Sequence, residues 1–178
     1  EPFGQDGIQA VEDMLSSHDP RMSFGDNIKA AKTWEDFLQL AASFEPELIY
    51  YYGHGVGDRR RTRLVFETGP DRTPVEKPVL DVARCLHQLE TPPLLAYINC
   101  CLGDSGGFLG VGFQLGEFIP AVITNRTFAE VPVAQAQAKA FWKNVLIQEM
   151  ELDKAVGALY ADRDLARLSV KDCRWITP

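Results

Sequence analysis

The chain has 178 residues, 46% of them hydrophobic, which suits one domain with a substantial core. Its formal charge of −7 argues against a direct nucleic-acid partner. Four cysteines, two of them adjacent, do not suit a disulfide scaffold, and no apolar run approaches the ~20 residues that span a bilayer, so a reducing, cytoplasmic setting with no membrane partner is expected.

Gly7 to about Ser17 has the period of an amphipathic helix, with Ile8, Val11, Met14 and Leu15 on one face. Asp6 or Gly7 would cap it, and His18-Asp19-Pro20 would stop it. Arg21 to Ile28 reads as a weak strand. Thr33 is placed to cap a second helix over Trp34–Phe44, whose apolar positions are Trp34, Phe37, Leu38, Leu40 and Ala41. Pro46 then opens the apolar run Leu48-Ile49-Tyr50-Tyr51-Tyr52, which ends in Gly53-His54-Gly55. The basic cluster Arg59-Arg60-Arg61-Thr62-Arg63 reads as the solvated rim of a hairpin. Arg61 to Glu67 alternates like a strand and meets the turn signal Thr68-Gly69-Pro70-Asp71, so a hairpin excursion is predicted.

A third helix is predicted from about Leu80 to Leu89. Pro92-Pro93 leads into a second apolar run, Leu94-Leu95-Ala96-Tyr97-Ile98, which ends in Asn99-Cys100-Cys101-Leu102-Gly103-Asp104. Phe108 to Phe118 reads as helical despite its glycines, and Ile119 to Thr124 as another buried strand. Pro132 to about Glu149 and Leu152 to Leu168 are helices, and Cys173 to Ile176 begins a last strand. Strands alternating with helices predict an α/β fold, a mostly parallel sheet flanked by helices on both faces.

The chemistry sits at two strand ends. Side chains that bind or react gather at the carboxyl ends of strands in open α/β sheets, so His54 and Cys101 can meet there. A thiol with an ordinary pKa of about 8.5 needs a neighbouring imidazole to become a nucleophile at neutral pH. The backbone N–H groups of Gly55 and of Cys101 itself, both just past a strand end, suit a developing oxyanion. Strand alternation sends Cys100 and Cys101 to opposite faces, and Cys101, where the strand gives way to a turn, is the predicted nucleophile. Asn99, Asp104 and Arg126 are the predicted substrate-binding residues. Arg126 would favour an acidic or polar side chain before the cut, and Asp104 a basic one. On the residues alone, packing of both thiols in a catalytically silent scaffold stays open, as does a small-molecule-binding domain.

Other motifs fail on context. Gly103-Asp104-Ser105-Gly106-Gly107 matches the G-x-S-x-G elbow, but that triad needs a histidine after the serine, and His18, His54 and His87 all precede Ser105. The same stretch matches the serine loop of trypsin-like proteases, which are double β-barrels. No P-loop sequence exists, and Cys85 and His87 lack the partners of a zinc site, so neither a cofactor nor a metal is predicted.

Ile98-Asn99-Cys100-Cys101-Leu102-Gly103-Asp104 resembles the caspase-type nucleophile stretch, and Tyr52-Gly53-His54-Gly55 resembles its histidine turn. The interval from His54 to Cys101 is close to the roughly 50 residues of caspases. The order of elements from residue 46 to 168 is similar to the bacterial CHAT branch of the caspase-like superfamily: a strand at Leu64-Val65-Phe66, the cysteine strand, a Gly-rich helix at 106–115, the strand Pro120-Ala121-Val122-Ile123, and two closing helices around Phe141-Trp142 and Ala155-Val156-Gly157-Ala158-Leu159. The resemblance implies a Cys–His endopeptidase acting on a protein substrate, joined to a sensing or repeat module in bacterial defence or cell death. It departs from the pattern at Cys100, where a small residue is usual, and at Asn99, where relatives with basic specificity carry an acid. Such a sheet begins with a strand before its first helix, so residues 1–178 are expected to be a single protease domain from a longer chain. The five glycines between Gly103 and Gly112 lead to the expectation of a site remodelled by an activating partner.

Overall fold

A computed structural model describes residues 5–22, 27–58, 61–69, 71–100, 110–125, 131–162 and 175–176. It is a mixed α/β structure that divides into two compact units, each made of chain segments distant in sequence. Among the described residues, no helix is long and apolar enough to cross a membrane.

One unit comprises residues 1–30 and 129–173. Its first helix, α1 (Gln5–His18), starts earlier than its sequence suggested, so neither Asp6 nor Gly7 is the cap. Val11 and Leu15, four residues apart, are its buried apolar pair. The predicted strand after it is replaced at its start by a 3-10 turn, Pro20–Met22. The Asp19 carboxylate explains the change. It accepts the Arg21 backbone N–H at 3.0 Å and the Arg21 guanidinium at 2.7 Å, and a strand ladder cannot use an amide held this way. Later in the chain come α5 (Val131–Trp142), a π-helical turn at Lys143–Ile147, and α6 (Leu152–Ala161), with α1 and α6 both packed on α5. Just beyond the π-helical turn stands Glu149, whose φ of 51° lies in the left-handed region.

The other unit, residues 31–128 and 174–178, carries both sheets. Helix α2 (Trp34–Phe44) begins on a capping box: the Thr33 hydroxyl accepts the Asp36 N–H, and the Asp36 carboxylate accepts the Thr33 N–H. Strand β1 (Leu48–Gly53) follows, then β2 (Gly55–Asp58), β3 (Arg61–Thr68), β4 (Thr73–Pro78), helix α3 (Val79–His87), strand β5 (Leu95–Cys100), helix α4 (Val111–Gly116), strand β6 (Ala121–Asn125) and strand β7 (Trp175–Ile176). The main sheet has the order β1-β5-β6-β7, parallel except for the last pair. A second, antiparallel sheet has the order β2-β3-β4, which is the predicted hairpin excursion enlarged by a strand. Of the arginine cluster, Arg61 and Arg63 lie on β3, where Arg63 pairs with Glu76 of β4 at 2.5 Å; Arg59 and Arg60 lie outside the described residues.

Strand β5 is buried along its whole length, as the centre of a parallel sheet requires. On one face Ala96, Ile98 and Cys100 join Val122 of β6 in a core with Val82, Leu86 and Leu115, against which Ile49 and Tyr51 of β1 pack. The other face of β5 and β6 presents Leu95, Tyr97, Asn99, Ile123 and Asn125, all at most 5% exposed. Phe66 of β3 stands 5.1 Å from the Trp34 ring and 5.6 Å from Phe37, which ties α2 to the second sheet.

Candidate active site

Strands β1 and β5 run parallel and adjacent, matched from Leu48 opposite Leu95 to Gly53 opposite Cys100. Both candidate reactive residues are the next in sequence after that final pair: His54 after Gly53, and Cys101 after Cys100. His54 is described; Cys101, Asp104 and Arg126 lie outside the described residues.

His54 is the one residue between two sheets. Gly53 before it ends β1, and Gly55 after it starts β2 and pairs with Leu64. Its side chain is exposed. Its carbonyl accepts the Val65 N–H at 3.0 Å and also faces the Tyr51 hydroxyl at 2.9 Å. The Tyr51 hydroxyl reaches the Val65 carbonyl at 2.7 Å and accepts the Val65 N–H at 3.1 Å. A phenol has one proton, so it is shared between two carbonyls while the oxygen accepts from Val65. To reach them the Tyr51 ring lies along its own strand over Gly53, where a β-carbon would stand 2.7 Å from the hydroxyl oxygen. That close approach is the reason for glycine at position 53.

The His54 carbonyl points toward β3, where it accepts the Val65 N–H. In the trans peptide that follows, the Gly55 N–H points the opposite way, away from β3. That orientation suits an oxyanion donor beside His54.

Cys100 is 2% exposed and belongs to the apolar core, on the face opposite Asn99. Asn99 is 3% exposed; its side-chain oxygen accepts the Asn125 amide at 2.7 Å, and its own amide lies 3.4 Å from the Tyr50 hydroxyl. The phenols of Tyr50 and Tyr51 are both pushed well above the ordinary tyrosine value, chiefly by burial, so both stay protonated donors. Burial and then the Asp81 charge likewise raise the Cys85 thiol. Among the described residues no three His, Cys, Asp or Glu side chains are grouped to share a metal ion.

Two residues at this end of the sheet escaped the sequence reading. Asn125 ends β6 beside Asn99, and its signal was a polar residue closing a third apolar strand. Tyr51 lies within the apolar run of β1, and its signal was glycine two positions on, on the same strand face. No family model and no curated protein matches the chain.

Proposed function

We propose that the chain is a caspase-like cysteine endopeptidase in which His54 and Cys101 form the dyad. The observation that carries this reading is the parallel register of β1 and β5, which ends with Gly53 opposite Cys100, the two residues that directly precede His54 and Cys101 in sequence. The Cys100 thiol is committed to the apolar core, which leaves Cys101 as the candidate nucleophile.

In this mechanism His54 takes the Cys101 thiol proton, and the thiolate attacks a peptide carbonyl. The resulting oxyanion is held by the N–H groups of Gly55 and Cys101. The tetrahedral adduct collapses to a thioester as His54 delivers the proton to the departing amine. Water, giving a proton to His54, then attacks the thioester, and release of the acid returns the proton to the sulfur. Asn99, Asp104 and Arg126 select the side chain before the cut, Asp104 favouring a basic one and Arg126 an acidic or polar one. A reducing, cytoplasmic setting keeps the thiol available. The CHAT-like order of elements supports a protein substrate and a sensing or repeat module that activates the domain in bacterial defence.

The test is labelling with a peptide acyloxymethyl ketone, followed by mass spectrometry. Labelling at Cys101 that is lost in His54→Ala and kept in Cys100→Ala is expected. Labelling of Cys100 in place of Cys101 would overturn the assignment. A folded chain that no peptide electrophile labels, with or without partners, would be a silent scaffold instead.

A further inference from the structure

We propose that Tyr51 is the positioning residue for His54, acting through the backbone at the junction of the two sheets; the inference rests on His54 serving as the base of the dyad. His54 lies between two glycines, so the sterics of its neighbours leave its orientation loosely set. The constraint comes from outside. The Tyr51 hydroxyl sits between the His54 carbonyl at 2.9 Å and the Val65 carbonyl at 2.7 Å, and takes the Val65 N–H at 3.1 Å. One oxygen atom therefore joins the end of β1 to Val65 of the second sheet. Its ring is held in turn by Phe66 at 5.5 Å, and Phe66 packs on Trp34 at the start of α2. A phenylalanine at 51 would keep the ring and the packing but lose the hydroxyl, so His54 would swing about its flanking glycines. Because burial keeps the phenol protonated, the device does not release within the physiological pH range.

The experiment compares the whole chain with Tyr51→Phe, Phe66→Leu and His54→Ala, using two readouts. The first is amide hydrogen exchange at Val65, which does not depend on catalysis. Loss of the hydroxyl should speed it about tenfold, the equivalent of one hydrogen bond, with Phe66→Leu moving it the same way by less. The second is the rate of Cys101 alkylation by iodoacetamide against pH. In the wild type alkylation should rise at a lower pH than for a free thiol, whereas in Tyr51→Phe the rise should shift toward the free thiol value of about 8.5. Should Tyr51→Phe fail to fold, Phe66→Leu carries both readouts, because it loosens the ring and keeps every hydroxyl and amide. Unchanged Val65 exchange overturns the clamp. Faster exchange with an unchanged, His54-dependent alkylation profile overturns the positioning role while leaving the dyad intact. A wild-type profile that His54→Ala does not alter removes the dyad, and the positioning role with it.

Discussion

The Tyr51 ring covers Gly53 so closely that a β-carbon there would meet the ring's ζ-carbon at 2.9 Å and its hydroxyl oxygen at 2.7 Å. Glycine and tyrosine are thus one unit, two residues apart on one strand face. Gly53→Ala should force the ring off its three hydrogen-bonding partners and lower stability by about 1–3 kcal/mol. In a Tyr51→Leu background the same substitution should cost much less. Urea titration of the four proteins of the cycle measures the difference; strictly additive effects would show that the two residues do not communicate.

Cys100 is sealed in the core, so its thiol should resist modification until the protein unfolds. Native alkylation with peptide mapping should leave Cys100 unlabelled, and urea should expose it. Cys85 should react slowly at neutral pH, since burial raises its thiol. Replacing Cys100 by alanine should cost about 1 kcal/mol through lost packing.

The segment after the π-helical turn holds Glu149 at a φ of 51°, with the Met150 N–H bonded back to the Asn144 carbonyl at 3.0 Å. A side chain in that conformation costs about 1–2 kcal/mol relative to glycine. Glu149→Gly should therefore raise the melting temperature, and Glu149→Val should lower it.

Thr68 donates its hydroxyl to Glu35 at 2.6 Å, and this bond is the largest cause of the lowered Glu35 pKa, followed by the Glu35 backbone amide. The folded value lies below the unfolded one. The bond therefore contributes fully above the ordinary carboxylate range and is lost as pH falls through the folded value. In Thr68→Val the Glu35 carboxyl should titrate higher by NMR. The stability gap between variant and wild type should close as the solution is acidified; a gap that grows in acid would contradict the assignment.

The three strands of the parallel core and the extent of α2 were legible because long apolar runs and a threonine cap leave few alternatives. Strand β2 was not. Gly55-Val56-Gly57-Asp58 has poor intrinsic strand preference, and its extended form comes from pairing with β3. Helix α4 was overdrawn at its start, because Gly110 stands at its cap and Val111 begins it. The predicted Arg21–Ile28 strand gave way at its start to a side-chain competitor, Asp19. At the candidate site, the meeting of the histidine and cysteine strands followed from the α/β pattern, since parallel neighbours deliver their ends to one edge. The Tyr51 clamp could not be read from β1 alone, because its partner Val65 arrives on another sheet.

Both compact units are split in the chain: the one holding α1 is completed only by residues after 128, and the other is resumed at 174. During synthesis α1 therefore emerges long before α5, the helix it packs on. At roughly 5–20 residues per second, the wait is on the order of ten seconds. A lone helix of 14 residues is marginal in water, so α1 spends that interval as a half-formed amphipathic segment with Val11 and Leu15 uncovered by α5. The same interleaving means that no single cut releases either unit as one continuous piece, and a ribosome stalled ahead of α5 would present α1 to whatever chaperone or partner reaches it first.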